Sequence, residues 1–217
     1  WAVVGAGQAV WDSYVALRGV RADNQRLSQQ IADLRVQLQQ ERAVSQTVGR
    51  LRALLEMRAS VTWKTTGADV IGGSVSPEFR SIMIDRGSDA GLRPDMPVIT
   101  PAGLVGRVVW SSAHAATVQL IVDKSAAAAV IVEPSRAQGV VLGGNDDGTL
   151  SLDYLPASAV VQRGDQVVTA GVDRIYQKGI VVGYVERIGR TVIVRPAADF
   201  ANLESVLIVV DPAPQAA

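Results

Sequence analysis

The 217-residue chain has no cysteine, which excludes thiol catalysis, disulfide staples and cysteine-ligated zinc or iron–sulfur centres. Its one histidine, His114, leaves no room for a multi-histidine metal site. Aromatic residues are 5%, too few for a stacking platform along a nucleic-acid strand. Charge of one sign is also missing. Lys and Arg number 21, Asp and Glu number 21, and a neutral chain has no overall field to draw nucleic acid or an anionic surface. The apolar stretch near the start, Trp1 to Trp11, is about half the ~20 residues of a membrane helix. It also lacks the basic region and small-residue cleavage site of a signal peptide. Two readings stay open for it: a helix at a membrane surface anchored by Trp1 and Trp11, or an amphipathic lead-in to the next helix. Since the first residue is Trp1 and not methionine, an upstream segment is expected.

Proline is absent from residues 1–58, and only four of the 20 glycines fall there. That stretch holds eight arginines against five acids, while all nine prolines lie downstream. With 48% hydrophobic residues the chain can bury a core. A proline-free, Gln/Arg/Leu-rich start followed by a Val/Gly/Pro-rich remainder predicts a long helix feeding an all-β region.

The helix carries a heptad seam. Leu17, Asn24, Ile31 and Leu38 stand at a, and Val20, Leu27 and Leu34 at d. Leucine at d with isoleucine and one asparagine at a predicts a parallel two-stranded coiled coil, the asparagine setting register. Glu41 and Ser45 take the next core slots, and Val44, Val48, Leu51 and Leu55 begin a shifted stripe. The supercoil is therefore expected to end near residue 40. A helix packed on its own domain is the competing reading.

From Trp63 onward, apolar runs alternate with turn residues and predict twelve short strands. They fall near 68–73, 80–85, 96–100, 104–110, 117–122, 127–132, 138–142, 149–154, 166–169, 180–185, 191–195 and 205–210. No helices come between, which suggests sandwiches or barrels. The stretch Val98-Ile99-Thr100-Pro101-Ala102-Gly103, continuing to Val105-Gly106-Arg107-Val108, resembles Val167-Val168-Thr169-Ala170-Gly171, resumed at Val182-Gly183-Tyr184-Val185. Two related β-units follow from that repeat. The end, 211–217, reads as a flexible tail.

Chemistry is hard to find in these residues. A nucleophilic triad needs a base beside its nucleophile, and His114 has only Ser112 and Ser125 as conceivable neighbours. Gly5-Ala6-Gly7 lacks the third glycine of a dinucleotide loop. Asn145-Asp146-Asp147-Gly148 puts Tyr154 where a calcium loop needs its glutamate, and reads better as a hairpin turn. No catalytic, cofactor or metal residue is expected, and no cofactor.

Taken in order, three stretches resemble the rod shape-determining MreC family. The first is Ile84-Asp85-Arg86-Gly87-Ser88-Asp89-Ala90-Gly91-Leu92 with Met96 to Val108, containing Gly103 and Gly106. The second is Leu155-Pro156-Ala157 with Gly164-Asp165-Gln166-Val167-Val168-Thr169-Ala170-Gly171 and Gly179 to Gly183. The third is Val194-Arg195-Pro196-Ala197-Ala198-Asp199-Phe200-Ala201-Asn202-Leu203-Glu204. Asp95 stands where the family usually has glycine, Gln177-Lys178 where it has Pro-Pro, and Tyr176 where it has phenylalanine.

The resemblance implies a mainly β protein with a long N-terminal α-helix. A dimeric coiled coil in 1–58 would lead to two six-stranded, chymotrypsin-like β-barrels without catalytic residues. Residues 62–111 with 186–210 would form barrel 1, and 112–185 an inserted barrel 2. It further implies a non-enzymatic scaffold at the periplasmic face of the bacterial inner membrane, anchored by a segment upstream of Trp1. Its partners would be itself, the elongation-specific class B penicillin-binding transpeptidase, and a complex of MreD, RodA and MreB, supporting peptidoglycan synthesis. A periplasmic serine hydrolase on the same barrels and an adaptor for another envelope complex are the competing readings. Phe79, Tyr154, Tyr176 and Tyr184 are the candidate aromatic anchors for a partner.

Overall fold

The computed structural model describes residues 63–75 and 79–211, with 35, 42, 48, 49 and 52–57 ahead of them. The seven seam residues, the stretch 1–16 and the tail 212–217 lie outside the described residues. The chain divides into two compact units, Trp1–Arg52 and Ala53–Ala217. In the first, Arg35, Arg42, Val48, Gly49 and Arg52 are helical and exposed. In the second, helical residues 53–57 place Leu54 and Met57 against the β core, joined by Trp63. No helix among the described residues is long and apolar enough to cross a membrane.

Twelve strands follow: β1 Lys64–Val75, β2 Arg80–Ile84, β3 Pro97–Ile99, β4 Leu104–Ser111, β5 Ala116–Leu120, β6 Ala127–Glu133, β7 Ala137–Leu142, β8 Leu150–Asp153, β9 Gln166–Thr169, β10 Val181–Ile188, β11 Val192–Pro196 and β12 Ser205–Asp211. They close into two antiparallel barrels. The first is β12-β1-β2-β5-β4-β3, and the second β6-β7-β8-β11-β10-β9. The two spatial orders coincide when β12 is counted as the first strand of its barrel. One barrel takes that strand from the C-terminal end of the chain, the other from the strand that enters it.

The strand partition differs from the one expected. Barrel 1 uses five strands from 64–120 and one from 205–211, so residues 116–120 belong to it and not to barrel 2. Residues 192–196 belong to barrel 2, where β11 pairs with β8 and β10. The reason is pairing over long sequence distance. β5 fills the gap between β2 and β4, with Ile82 opposite Val118 and Val108 opposite the same residue. Asp211 is also not tail, because it ends β12 opposite Lys64.

Period-two alternation sends Val98, Leu104, Val108, Val118, Val206 and Ile208 into the first barrel. Val130, Val132, Val141, Leu150, Leu152, Val182 and Val194 fill the second, and these side chains form one continuous cluster with the first set. The internal repeat is structural. Val98 lies opposite Gly106 on β3–β4, and Val167 lies opposite Gly183 on β9–β10. Both glycines stand where a strand presses on its other neighbour. A Cβ on Gly106 would sit 1.9 Å from the Gln119 carbonyl oxygen, and one on Gly183 2.1 Å from that of Arg195.

The junction between the barrels is polar and partly buried. Arg80 donates its backbone N–H to Asp123 Oδ2 at 2.7 Å, and its guanidinium to the carbonyls of Val122 and Asn145 at 3.2 and 3.0 Å. Asp123, fully buried, also accepts from Gln119 Nε2 at 2.9 Å and from the N–H and hydroxyl of Ser125. Burial pushes its pKa up, but the bonds from Ser125, the Arg80 N–H and Gln119 outweigh it and hold the carboxyl below its ordinary 3.8. On the far side, the β3–β4 turn meets β10, where a Cβ on Gly103 would lie 2.4 Å from the Val181 oxygen.

Two predictions follow from this packing. Gly106→Ala is expected to cost about 2–3 kcal/mol because backbone must move. Gly72→Ala, in open space, should stay within about 0.5 kcal/mol; chemical denaturation compares them. Asp123 has a lowered folded pKa, so its contribution is present above the ordinary carboxyl value and is lost as pH falls through the folded one. Asp123→Asn should therefore be less stable by about 1–3 kcal/mol at neutral pH. The gap should narrow below about pH 4, read from urea midpoints across pH.

Candidate partner-binding surface

The glycines of the three motif stretches, with Pro196 and Asp199, shape the turns and crossings of the barrels. After β2 the chain makes a single 3-10 turn, Ser88–Ala90, that docks on the β4–β5 hairpin. Ser88 N–H donates to the Ser112 carbonyl at 2.8 Å, and a Cβ on Gly87 would lie 2.1 Å from that oxygen. Gly91 closes the turn at φ 84, and Leu92 plugs the core beside it. Gly164 and Gly171 take φ 94 and 77 at the two ends of β9. Pro196 ends β11 opposite Gly183. Asp199 accepts from Asn202 Nδ2 at 2.8 Å and from Ala201 N–H at 3.0 Å, bonds that lower its pKa and hold the turn into β12. Asp95, in the place of the family's usual glycine, adopts φ 67 and pairs with Arg107 at 2.7 Å.

The hydrolase alternative finds no triad among the described residues. His114 Nδ1 lies 3.1 Å from Asp89 Oδ2, with both side chains exposed. The Ser112 hydroxyl is occupied by the backbone of Ala115, and that of Ser125 by Asp123. Asn145–Gly148 is the β7–β8 turn, closed by Gly148 N–H to the Asn145 carbonyl at 3.1 Å. No cluster of metal-binding side chains occurs among the described residues.

The aromatic candidates separate. Tyr154 leaves β8 at φ 59 and is 80% exposed, and Tyr184 stands outward on β10. Phe79, just ahead of β2, is half-buried and has interactions of its own. Tyr176 is a correction: it is 2% exposed and fills the core behind the β9–β10 connection. Burial pushes its phenol pKa well above the ordinary range.

One apolar feature was not anticipated. On the outer wall of barrel 1, Gly72 lies opposite Met83, Met83 opposite Thr117, and Thr117 opposite Trp110. Ile71 stands in the bulge beside Gly72, and the β4 register slips just before Trp110. Ile71, Met83 and Trp110 are 58%, 44% and 56% exposed. Bulges re-aim side chains, and here two of them gather an apolar row across four strands. The period-two pattern alone could not show it, because each bulge resets the phase.

The family model for the barrel core of rod shape-determining protein MreC matches residues 70–210. The chain belongs to the MreC family. The cell shape-determining protein MreC of Listeria monocytogenes is 30% identical over 210 residues, 91% of this chain and 71% of that protein. That of Caulobacter vibrioides is 30% identical over 161 residues, 74% of this chain and 46% of that protein. The matched region thus spans about half the length of the Caulobacter relative. A solved MreC structure superposes with a TM-score of 0.70 at 29% identity, covering 77% of this chain and 99% of that one. MreC from Pseudomonas aeruginosa gives 0.63 at 28%, covering 67% and 99%. A complex between a penicillin-binding protein and MreC from Helicobacter pylori matches at 0.53 and 20% identity, which is a likeness of fold.

The burial pattern makes a direct prediction. Tyr176→Ala should cost about 3–5 kcal/mol. Tyr184→Ala and Met83→Ala should stay within about 0.5 kcal/mol, as surface changes do; thermal unfolding of the three variants checks it.

Proposed function

We propose that this chain is the periplasmic part of a scaffold for bacterial cell elongation that binds the elongation-specific class B penicillin-binding transpeptidase. The observation that carries the reading is the pair of closed barrels, in which the described residues form no constellation of reacting groups, in a chain of the MreC family. Closed barrels have no free strand edge, so a partner has to read side-chain faces. Exposed aromatic and aliphatic side chains on both barrels supply such faces. The Helicobacter complex supports the choice of partner. Binding raises the share of an open transpeptidase state if that state is held more tightly, which accounts for activation without chemistry in the scaffold. MreD, RodA and MreB would join the same membrane assembly through the anchor expected upstream.

Dimerisation through the seam Leu17–Leu38 belongs to the same proposal. Val48 and Leu55 are exposed, and they stand fourteen and twenty-one residues after Leu34, on its d phase. The a positions beside them, Ser45 and Arg52, are polar, so the contact between two copies is proposed for the seam alone.

The test is calorimetric titration of the purified chain against the periplasmic part of the transpeptidase, beside light scattering across concentration. Saturable binding by a dimer is expected, and absence of binding by a folded chain would overturn the partner. Leu27→Lys with Leu34→Lys should shift the mass from dimer to monomer while the barrels stay folded. An unchanged mass refutes the seam.

A further inference from the structure

The outer wall of barrel 2 carries a feature that scaffold binding by apolar contact does not use. Arg163, Gly164, Tyr184, Val185, Glu186 and Arg195 line an open groove of ≈ 400 Å³. Tyr184 lies at its centre, directly opposite Arg195 on β11 and Gln166 on β9. We infer that this groove docks an acidic, extended peptide segment of a partner protein.

Three observations carry the inference. First, the cations are uncommitted. Arg86, Arg107 and Arg136 each pair with a carboxylate, whereas Arg163 and Arg195 form no ion pair among the described residues. The nearest acid in sequence, Asp165, is turned away, its Oδ2 accepting the Gln162 N–H at 2.8 Å. Second, the positions are fixed by backbone. Arg163 sits on a turn in which Gly164 N–H donates to the Val185 carbonyl and Val185 N–H returns to that of Asp165, both at 2.8 Å. Gly164 holds that turn at φ 94. Arg195 projects from a strand paired on both sides. Third, the floor and the charges are complementary to a peptide. The Tyr184 ring offers an apolar and hydrogen-bonding surface, and arginine with tyrosine is the residue pair that anchors interfaces. Glu186, in the bulge between Val185 and Arg187, can accept a backbone N–H or an amine.

Gln166 and Arg195 flank β10, so their strands are about 10 Å apart. Two carboxylates two or three residues apart on an extended chain cover a comparable span, at about 3.4 Å per residue. A lipid headgroup presents its charge at one point, and no exposed aliphatic side chain in the lining would enter a bilayer. The peptide is therefore the favoured ligand. Attraction at an exposed site of this kind falls with salt.

The experiment is an NMR titration of the nitrogen-15-labelled chain with the probe N-acetyl-Asp-Leu-Asp-Leu-Asp-amide. Its Asn isostere and phosphatidylglycerol/phosphatidylcholine vesicles serve as the other arms. Saturable shifts are expected at Gly164, Tyr184 and Arg195 with the acidic probe. The affinity should fall by about fivefold or more in Arg163→Glu with Arg195→Glu, and on raising salt from about 50 to about 300 mM. Arg174→Glu with Lys178→Glu, an equal charge change on the same barrel, should leave it unchanged. Unfolding temperatures of both pairs confirm that the fold is intact. Equal binding of the neutral isostere, equal loss in the control pair, absence of saturable shifts, or vesicle binding through these residues without peptide binding would each overturn the proposal.

Discussion

Two backbone crossings govern this molecule. Six strands close into so narrow a barrel only if a strand bends hard over its neighbour, and at Gly106 and Gly183 that approach leaves no room for a Cβ. The same device recurs at equivalent places in the two barrels, on β4 against β5 and on β10 against β11. Once closure is secured, the interior is small enough for Val, Ile and Leu to fill, and every strand has two partners. A chain built this way has no edge to lend to another sheet. Its contacts with the outside run through side chains on the barrel walls, through its loops, or through the segment ahead of β1.

Much of this was legible in the sequence. The alternation of apolar residues and the Gly/Pro/Asp turns located all twelve strands to within a few residues, because both signals are local. The repeat around Val98–Gly106 and Val167–Gly183 also survived into structure as equivalent hairpins. Which strand belongs to which barrel was not legible. β5 and β11 are each assigned by hydrogen bonds to residues far along the chain, and no local pattern encodes that choice. Exposure was harder still. Tyr184 points outward between the buried Gly183 and Val185, past a bulge at Val182 that resets the parity, whereas Tyr176 lies in an irregular connection where parity says nothing, and it is buried. The row Ile71–Met83–Trp110 depends on two bulges and on three cross-strand neighbours at once.

The candidate surfaces differ in kind. Barrel 1 shows an apolar row that bulges create, and barrel 2 shows a cationic groove that a rigid turn and a strand hold open. Between them lies the junction at Arg80 and Asp123, where backbone and side-chain bonds tie the barrels together and the core runs through unbroken. A pair of lobes joined in this manner presents its faces at a fixed relation.

The insertion of one barrel into the other has a mechanical side. The chain enters the first barrel at Lys64 and leaves it at Asp211, and these two residues are partners at the same end of one antiparallel ladder. A pull between the flanking segments would load that ladder at its end, opening its hydrogen bonds one after another, since they run perpendicular to the strands. The second barrel lies off the covalent load path, because the chain joins it to the first only through the connections after β5 and before β12. Tension would therefore unzip β1 from β12 first, and the inserted lobe would keep its shape while its host opened.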